Sequence, residues 1–322
     1  MKILVTGGAG FIGHNVVRIL ESHGHVCTVI DNFTNYGFIP EKELCFLTQY
    51  RLTRINSVVK TVDIRNYLHI NAIFEETKPD VVIHLASFPR QKVVNQNPTV
   101  ASEVMSTGLI NLLECSKRFS VSRFVYISSS MVYGDFVDDH LTEDAPTNPI
   151  GQYGIMKLAG EWLTKDYARQ TGMEYTVIRP SAVYGEWDVE DRVVSKFMTM
   201  ALRGETLKVN GANEVLDFTY VEDAAMGIAQ AAVSEAAANN TYNITRSNPT
   251  QYTLLDAANI AVKLAGRGNI TVADRDLDFP KRGRLSIDRA VKDFGYTPTV
   301  DVDEGFEKYL KWYNENPILW SR

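Results

Sequence analysis

Short apolar runs alternate with longer amphipathic segments along the first 180 or so residues of the chain. The runs are rich in β-branched residues and predict strands at "KILVT", "HVCTVID", "VVKTVD", "DVVIHLA", "RFVYISSS" and "EYTVIRP". Between them, apolar residues recur at helical spacing in "FIGHNVVRILESHG", which ends at Gly24, and in segments 66–78, 99–119 and 153–171. Apolar strands separated by helices predict a parallel sheet covered on both faces, and right-handed crossovers make it a doubly wound α/β fold.

The pattern changes after Arg179. "RVVSKFMTMALRG" predicts a helix, "TLKVN" and "LDFTYV" predict short strands, and further helices are expected near 224–235, 254–265 and 303–314. We therefore divide the chain into a first domain at 1–178 and a smaller, more helical region at 179–322, from which a strand can return to the sheet. The stretch 32–57 has weak periodicity, so we predict no element there.

Composition and charge narrow the possible functions. The 322 residues carry 33 Lys and Arg against 39 Asp and Glu, a net charge of −6, so no nucleic-acid partner is expected. The three cysteines and six histidines lack metal-ligand spacing, and no metal site is predicted. No apolar stretch approaches the ~20 residues that span a bilayer, and Met1 leads straight into the first predicted strand, which leaves no room for a signal peptide. We expect a cytoplasmic protein with reduced cysteines and no membrane association.

The segment "TGGAGFIG" places Gly7, Gly10 and Gly13 between the first predicted strand and the first predicted helix. Glycines at this junction allow a tight turn and let a diphosphate approach the backbone, where the helix N-terminus offers free N–H groups. The alternative is a purely structural turn. Asp31, at the end of the second strand, favours the binding interpretation, because a carboxylate there accepts hydrogen bonds from ribose hydroxyls.

Asp31 also bears on which dinucleotide is bound. Its charge repels a 2′-phosphate, and with no arginine expected beside it the carboxylate favours NAD over NADP. A capping or turn role is the alternative for this residue. Asp63, at the end of the third strand, is a second candidate that could meet the adenine or serve only as a turn residue.

Two further segments carry candidate chemistry. "YISSSMVYG" closes the fifth strand, and "YGIMK" begins the helix of segment 153–171. Tyr153 and Lys157 are four residues apart and share one helical face. We expect the ammonium of Lys157 to lower the pKa of the Tyr153 phenol, which would make the phenol a proton acceptor or donor near neutral pH. A surface pair on a helix is the alternative for any single Y-x-x-x-K, but here the pair follows a glycine loop, an acidic strand end and a serine cluster.

In this order the motifs resemble those of the extended short-chain dehydrogenase/reductases, the NAD-dependent nucleotide-sugar epimerase/dehydratase family, similar to UDP-galactose 4-epimerases. The resemblance runs from "TGGAGFIG" through "HLA" and "SSSMVYG" to "LDFTYVEDAA" and "FGYTP". It implies a Rossmann domain that binds NAD at 1–178 and a substrate region at 179–322. It also implies that Tyr153 deprotonates a sugar hydroxyl, that Lys157 binds the nicotinamide ribose and that Ser129 assists. The cofactor contacts that it implies are Gly7, Gly10, Phe11, Ile12, Gly13, Asp31, Asn32, Asp63, Ile64, Leu85, Ala86, Ser87, Tyr153 and Lys157.

The neighbours of Ser129 indicate the reaction. Members that dehydrate their substrate carry Asp and Glu at the two positions after this serine, whereas this chain has Ser130 and Met131. A thioether cannot transfer protons, so dehydration is disfavoured. The resemblance therefore implies an epimerase acting at C4 of a nucleotide-activated sugar. The alternatives are a dehydrogenase or reductase of such a sugar and, less favoured, a 4,6-dehydratase or a non-catalytic NAD-binding protein.

Other positions depart from the family pattern. Met105, Ala182 and Leu216 stand where family members usually carry Asn, Asn and Arg, so the residues around the substrate differ. We predict substrate contacts from Ser130, Met131, Arg192 and Arg282. Arg90, Lys92 and Lys281 are further candidate cations, for which a solvated surface charge is the alternative.

The resemblance also implies a homodimer. In the family, the helices that correspond to 99–119 and 153–171 pair into a four-helix interface. Apolar residues on these segments, more numerous than one face of a sheet needs, agree with this expectation: Leu109, Leu112, Leu113, Leu158 and Leu163.

Overall fold

The structure, a computed structural model, describes residues 1–35, 39–189 and 191–321. In chain order the strands are β1 (Lys2–Thr6), β2 (Val26–Asp31), β3 (Val58–Thr61), β4 (Val81–His84), β5 (Arg123–Ile127), β6 (His140–Leu141), β7 (Glu174–Pro180), β8 (Val183–Tyr184), β9 (Thr206–Asn210), β10 (Thr219–Tyr220), β11 (Asn240–Ile244), β12 (Asn269–Ala273) and β13 (Arg284–Leu285). The α-helices are α1 (Gly13–Ser22), α2 (Glu41–Thr53), α3 (Tyr67–Thr77), α4 (Gln91–Gln96), α5 (Pro98–Ser102), α6 (Gly108–Arg118), α7 (Gln152–Thr171), α8 (Val193–Arg203), α9 (Val221–Val233), α10 (Leu254–Ala265), α11 (Asp288–Phe294) and α12 (Val302–Glu315).

Seven of these strands form one parallel sheet in the order β11-β7-β5-β4-β1-β2-β3. The strand order reverses between β1 and β4, which is the point where a doubly wound sheet opens a crevice at the carboxyl ends of its strands. The predicted fold class is therefore confirmed. The outermost strand, β11, comes from the C-terminal region and pairs with β7.

The C-terminal region has its own apolar core. Three short parallel pairs, β8 with β10, β9 with β12 and β6 with β13, supplement its helices. Within "LDFTYV" only Thr219–Tyr220 forms a strand. The division at 178/179 stays a prediction, because β7 ends at Pro180 and β11 belongs to the sheet.

The stretch 32–57, for which we predicted no element, contains α2. Leu47 of this helix is fully buried and packs into the core of the C-terminal region. Helical periodicity was weak because most of the helix surface is polar or exposed, with Leu47 and Arg51 its buried residues. As a result, α2 packs against the core of the C-terminal region while its Arg51 lines the crevice.

The predicted helix 99–119 is interrupted. It consists of α5, a π-helical turn at Glu103–Thr107 and α6. Single π turns inside helices are rare and often lie near functional sites. Here the turn contains Val104, which lines the crevice. It also contains Met105, which is buried and stands where family members usually carry Asn.

The burial of apolar residues on these helices contradicts part of the evidence expected for a homodimer. Leu109, Leu112 and Leu113 are fully buried in the core of the same subunit, so they are not free to form an interface. Leu158 and Leu163 are partly buried against cores of the same subunit. The exposed apolar residues on these helices are Val100, Ile110, Ile155 and Trp162.

No helix within the described residues is long and apolar enough to cross a membrane.

Candidate active site

The glycine loop needs bare backbone at two positions. A Cβ on Gly13 would lie 2.2 Å from the carbonyl oxygen of Gly7, and a Cβ on Gly7 would lie 2.7 Å from the backbone nitrogen of Ala86. Gly7 also has a φ of +69°, which glycine adopts without strain. The loop is therefore pressed against the end of β4 while it turns into α1. Three of its N–H groups are already used, because Gly7 donates to the carbonyl oxygen of Ile30, Ala9 to Asp31 and Gly10 to the carbonyl oxygen of Gly7. The loop ends at the N-terminus of α1, where the N-cap residue makes no side-chain hydrogen bond and a diphosphate can bind.

Asp31 lines the crevice beside the glycine loop. Its two carboxylate oxygens accept hydrogen bonds from the backbone N–H groups of Ala9, at 3.2 Å, and Phe33, at 2.9 Å. Burial raises the pKa of the Asp31 carboxyl, whereas these hydrogen bonds and the positive charge of Arg51 lower it. The carboxylate is thus held in place at the rim of the crevice where a ribose can approach.

Asp63 is held by other side chains. Arg65 forms an ion pair with it at 2.7 Å and lowers the pKa of its carboxyl, and the Asn32 side-chain amide donates to it at 3.3 Å. Ile64, the next residue, is buried against Gly108 of α6. Asp63 therefore lies at the crevice with much of its hydrogen-bonding capacity already in use.

These groups surround one cavity of about 230 Å³ at the carboxyl ends of the strands. The predicted cofactor residues that line it are Gly7, Gly10, Phe11, Asp31, Asn32, Asp63, Ile64, Leu85, Ala86 and Ser87. Four predicted cofactor residues do not line it: Ile12 packs into apolar clusters, Gly13 begins α1, and Tyr153 and Lys157 lie on α7. The glycine cradle, the adjacent carboxylate and the apolar walls fit a dinucleotide.

Two charged residues of the cavity escaped the sequence analysis. Arg51 of α2 is only 4% exposed and donates from Nε to the carbonyl oxygen of Trp187, at 3.1 Å, and from Nη2 to the same atom. Asp188 is buried, and its Oδ1 accepts from the backbone N–H of Val189 at 2.9 Å. Arg51 lay in a stretch without periodicity, so its position had no sequence signal. The structure also overturns the expectation that no arginine lies beside Asp31, because both line this cavity.

The predicted catalytic residues meet at the end of β5. Ser129 follows this strand, and its Oγ accepts from the backbone N–H of Met131 at 3.2 Å. Tyr153 and Lys157 lie on the first turns of α7, with Lys157 Nζ 5.9 Å from the centre of the Tyr153 ring. Burial raises the pKa of Tyr153, and the Ser129 side chain is close enough to oppose this shift. The side chains of Ser129, Tyr153 and Lys157 are therefore brought together.

The electrostatics of this group differ from the sequence prediction. Burial raises the pKa of the Tyr153 phenol, and the opposing influences come from Arg192 and Ser129 rather than from Lys157. Burial also lowers the pKa of Lys157 to about 7, against a raising influence from Glu161. The ammonium donates to the carbonyl oxygen of Ile127 at 2.7 Å. Lys157 is not among the groups that act on the pKa of the Tyr153 phenol, which is raised chiefly by burial. The expected lowering by Lys157 is therefore not seen in this structure.

A buried ionic network underlies the catalytic helix. Glu161, 1% exposed, accepts from the Ser128 hydroxyl at 2.5 Å and from Arg179 at 2.9 and 2.7 Å. Arg179 also donates to the Tyr133 hydroxyl at 3.0 Å. The network joins α7 to the carboxyl ends of β5 and β7, the two strands that support the catalytic residues.

The predicted substrate residues are more scattered. The Ser130 hydroxyl donates to that of Ser181 at 3.1 Å, and Met131 is buried. Arg192 lines the dinucleotide cavity, where its Nε lies 3.0 Å from Asp188 Oδ1 and its guanidinium 5.7 Å from the centre of the Phe11 ring. Burial lowers the pKa of Arg282 to about 10, and Glu214 acts against this. The substrate roles of all four residues stay predictions.

The fold and the site define a class: an α/β protein with a dinucleotide crevice and a Ser-Tyr-Lys group beside it. The sequence profile of the NAD dependent epimerase/dehydratase family matches residues 3–245. The chain belongs to this family, and NAD is its cofactor.

Three relatives show how far the likeness extends. The crystal structure of a UDP-glucuronic acid 4-epimerase from Bacillus cereus, in complex with UDP-glucuronic acid and NAD, superposes with a TM-score of 0.88 at 25% identity, over 98% of this chain and 100% of that one. UDP-glucuronate 4-epimerase 2 of Arabidopsis thaliana is 28% identical, over 97% of this chain and 76% of that protein. A dTDP-glucose 4,6-dehydratase of Neisseria meningitidis is 30% identical, over 99% of this chain and 95% of that protein. All three are named for nucleotide-sugar reactions, so this chain is an NAD-dependent enzyme of the nucleotide-sugar class, but the relatives differ in reaction.

Proposed function

We propose that this protein is an NAD-dependent epimerase that inverts C4 of a nucleotide-activated sugar. The observation that carries the proposal is the environment of Ser129. Ser130 hydrogen-bonds to Ser181, and the Met131 side chain is a buried thioether. A thioether cannot transfer protons and a serine hydroxyl is a weak acid and a weak base, so these two positions do not supply the acid and base that loss of water requires.

The three catalytic residues fit removal and return of one hydroxyl proton. Tyr153 takes the proton of the sugar hydroxyl and later gives it back, and the Ser129 hydroxyl holds the same oxygen. Lys157 lies one helical turn further on and binds the ribose of the cofactor. NAD, when bound, supplies the hydride acceptor and donor that oxidising and re-reducing the carbon requires. Inversion requires the intermediate 4-keto sugar to turn in the pocket, so that its other face is reduced.

The substrate contacts are part of the same proposal. Arg282 forms no hydrogen bond or ion pair with the described residues, and its guanidinium is available to the diphosphate of a nucleotide sugar. Arg192 lines the cofactor cavity, and its charge opposes the burial that raises the pKa of Tyr153. We therefore assign Arg282 to the substrate diphosphate and Arg192 to the junction of substrate and cofactor.

The reaction is tested by product analysis with purified protein. The protein is incubated with UDP-, GDP-, CDP- and dTDP-sugars, and products are examined by mass spectrometry and NMR. We expect a product with the mass of its substrate, inverted at C4, and no accumulation of free NADH. A product lighter by one water would contradict the proposal in favour of a dehydratase. Stoichiometric release of NADH would instead support the dehydrogenase alternative.

We also propose that the protein is a cytoplasmic homodimer. The exposed apolar residues Ile155 and Trp162 on α7, and Val100 and Ile110 on the preceding helices, support the assembly. Cys27, Cys45 and Cys115 are free thiols, which fits a reducing compartment.

A further inference from the structure

Arg51 lies in an unusual position for a cation. It comes from α2, which packs against the C-terminal region, but its side chain reaches the cavity that Asp31 lines. Two of its nitrogens, Nε and Nη2, donate to the carbonyl oxygen of Trp187. Its third nitrogen, Nη1, forms no hydrogen bond with the described residues. The guanidinium is therefore anchored at one edge and free at the other.

Trp187 and Asp188, in the turn after β8, lie against the Arg51 guanidinium. Trp187 has a φ of +71°, which is rare for a bulky side chain. Its ring is stacked on Tyr50 at 4.2 Å, so the turn is fixed against α2. The next residue, Asp188, lines the cavity, and its Oδ2 has no hydrogen-bond partner among the described residues. Arg51 thus shares the cavity with three carboxylates, Asp31, Asp63 and Asp188.

The charges that line the cavity nearly cancel. Asp63 is paired with Arg65, and Arg90 is paired with Asp191. Arg192 is paired with Asp188, so the remaining charges are one carboxylate, Asp31, and one guanidinium, Arg51. Burial lowers the pKa of Arg51 to about 10, so it stays charged near neutral pH. Loss of the Asp31 charge would leave the cavity with one excess positive charge.

We propose that Arg51 is a cofactor-selecting residue, whose guanidinium would bind the 2′-phosphate of NADP but for the carboxylate of Asp31. In the native protein, Asp31 accepts the ribose hydroxyls of NAD and repels a 2′-phosphate. Without that carboxylate, the free edge of Arg51 offers a hydrogen-bond donor and a positive charge to the phosphate. Selection between NAD and NADP therefore depends on the opposite charges of Asp31 and Arg51 rather than on Asp31 alone. This inference concerns the cofactor and does not rest on the proposed epimerase activity.

The test measures binding of NAD and NADP to purified apoprotein by calorimetry, which is independent of turnover. We expect the native protein to bind NAD and to bind NADP far more weakly. Asp31→Asn should tighten NADP binding at least tenfold. Adding Arg51→Gln to that variant should remove most of the gain, because glutamine can still donate to the Trp187 carbonyl but carries no charge.

Arg54 provides a matched control. It directly follows the last residue of α2 and also faces Trp187, with its guanidinium 5.6 Å from the centre of the ring, but it does not line the dinucleotide cavity. Asp31→Asn combined with Arg54→Gln should keep the gain in NADP affinity. The proposal is overturned if Asp31→Asn gives no gain, or if the Arg51 and Arg54 double variants bind NADP equally well.

A second measurement does not depend on how well the Arg51 variant folds. A 2′-phosphate bound by a cation loses affinity as salt rises. The dissociation constant of Asp31→Asn for NADP should therefore rise more steeply with ionic strength than its dissociation constant for NAD. Equal slopes would overturn the proposal.

Discussion

At the scale of single residues, burial affects the pKa values of the candidate catalytic residues as much as neighbouring charges do. Tyr153 has a raised pKa and Lys157 a lowered one, because each loses solvation of its charged form. Both shifts are towards the neutral forms of these side chains. Tyr153 can therefore accept the sugar hydroxyl proton only in its phenolate form, with Ser129 holding the same oxygen.

Replacement of the phenol should separate catalysis from binding. Tyr153→Phe should lower the rate by about 10²–10⁴-fold, since general base catalysis contributes on that order. NAD affinity should change little, because the glycine loop and Asp31 remain. Tyr167→Phe, a change on the same helix whose hydroxyl bonds only to Glu114 among the described residues, serves as the control and should keep its activity. Near-full activity of Tyr153→Phe would show that the catalytic assignment is wrong.

Glu161 allows a prediction about the charge of Lys157. Its carboxylate is the influence that raises the Lys157 pKa against burial. Glu161→Gln should therefore lower that pKa below about 7, as measured by NMR titration of labelled lysine side chains in the apoprotein. An unchanged titration would contradict the electrostatic link.

The same substitution should destabilise the protein. It leaves Arg179 buried without its carboxylate partner, and breaking such a pair costs about 3–5 kcal/mol. Denaturant unfolding measures this. Glu304→Gln, which removes an exposed pair with Lys308, is the control and should cost under about 1 kcal/mol.

At the scale of elements, the junction of β1 and α1 depends on close backbone contact. Gly13 and Gly7 lie where any side chain would collide with backbone atoms that cannot move aside. A side chain at either position would therefore distort this turn, whereas other turns of the molecule have room for one. Gly24, for example, ends the first helical segment in open space with a φ of +80°.

These two glycines make a matched pair of variants. Gly13→Ala should abolish measurable NAD binding, because the Cβ would displace the carbonyl of Gly7 and reshape the phosphate cradle. Gly24→Ala should cost only about 1 kcal/mol of backbone strain and leave NAD affinity unchanged. Calorimetric titration with NAD and thermal unfolding distinguish the two effects. Native affinity in Gly13→Ala would contradict the role of the loop.

At the scale of the whole molecule, the surface of α7 is the place to test assembly. Trp162 is 65% exposed and Ile155 is 53% exposed on this helix. If they form the subunit interface, Trp162→Glu should convert the protein from a dimer to a single chain of 36.2 kDa. Light scattering at micromolar concentration measures this.

The control for that experiment lies away from α7. Leu277 is also highly exposed but belongs to the loop after β12. Leu277→Glu should leave the mass unchanged. A native protein that already scatters as a single chain would refute the dimer.

The sequence by itself determined the sheet, the glycine loop and the candidate catalytic residues. Each of these has a local cause: β-branched runs for buried strands, glycines for a crowded turn, and four-residue spacing for Tyr153 and Lys157 on α7. The tertiary structure alone decided three further features: the contact of Arg51 with Trp187 and its place near Asp31, the burial that shifts the pKa values of Tyr153 and Lys157, and which apolar helix residues stay exposed. These depend on contacts between segments as far apart as α2 and the turn after β8. Spacing along the chain does not encode such contacts, because burial and charge at a site are set by every element that packs around it.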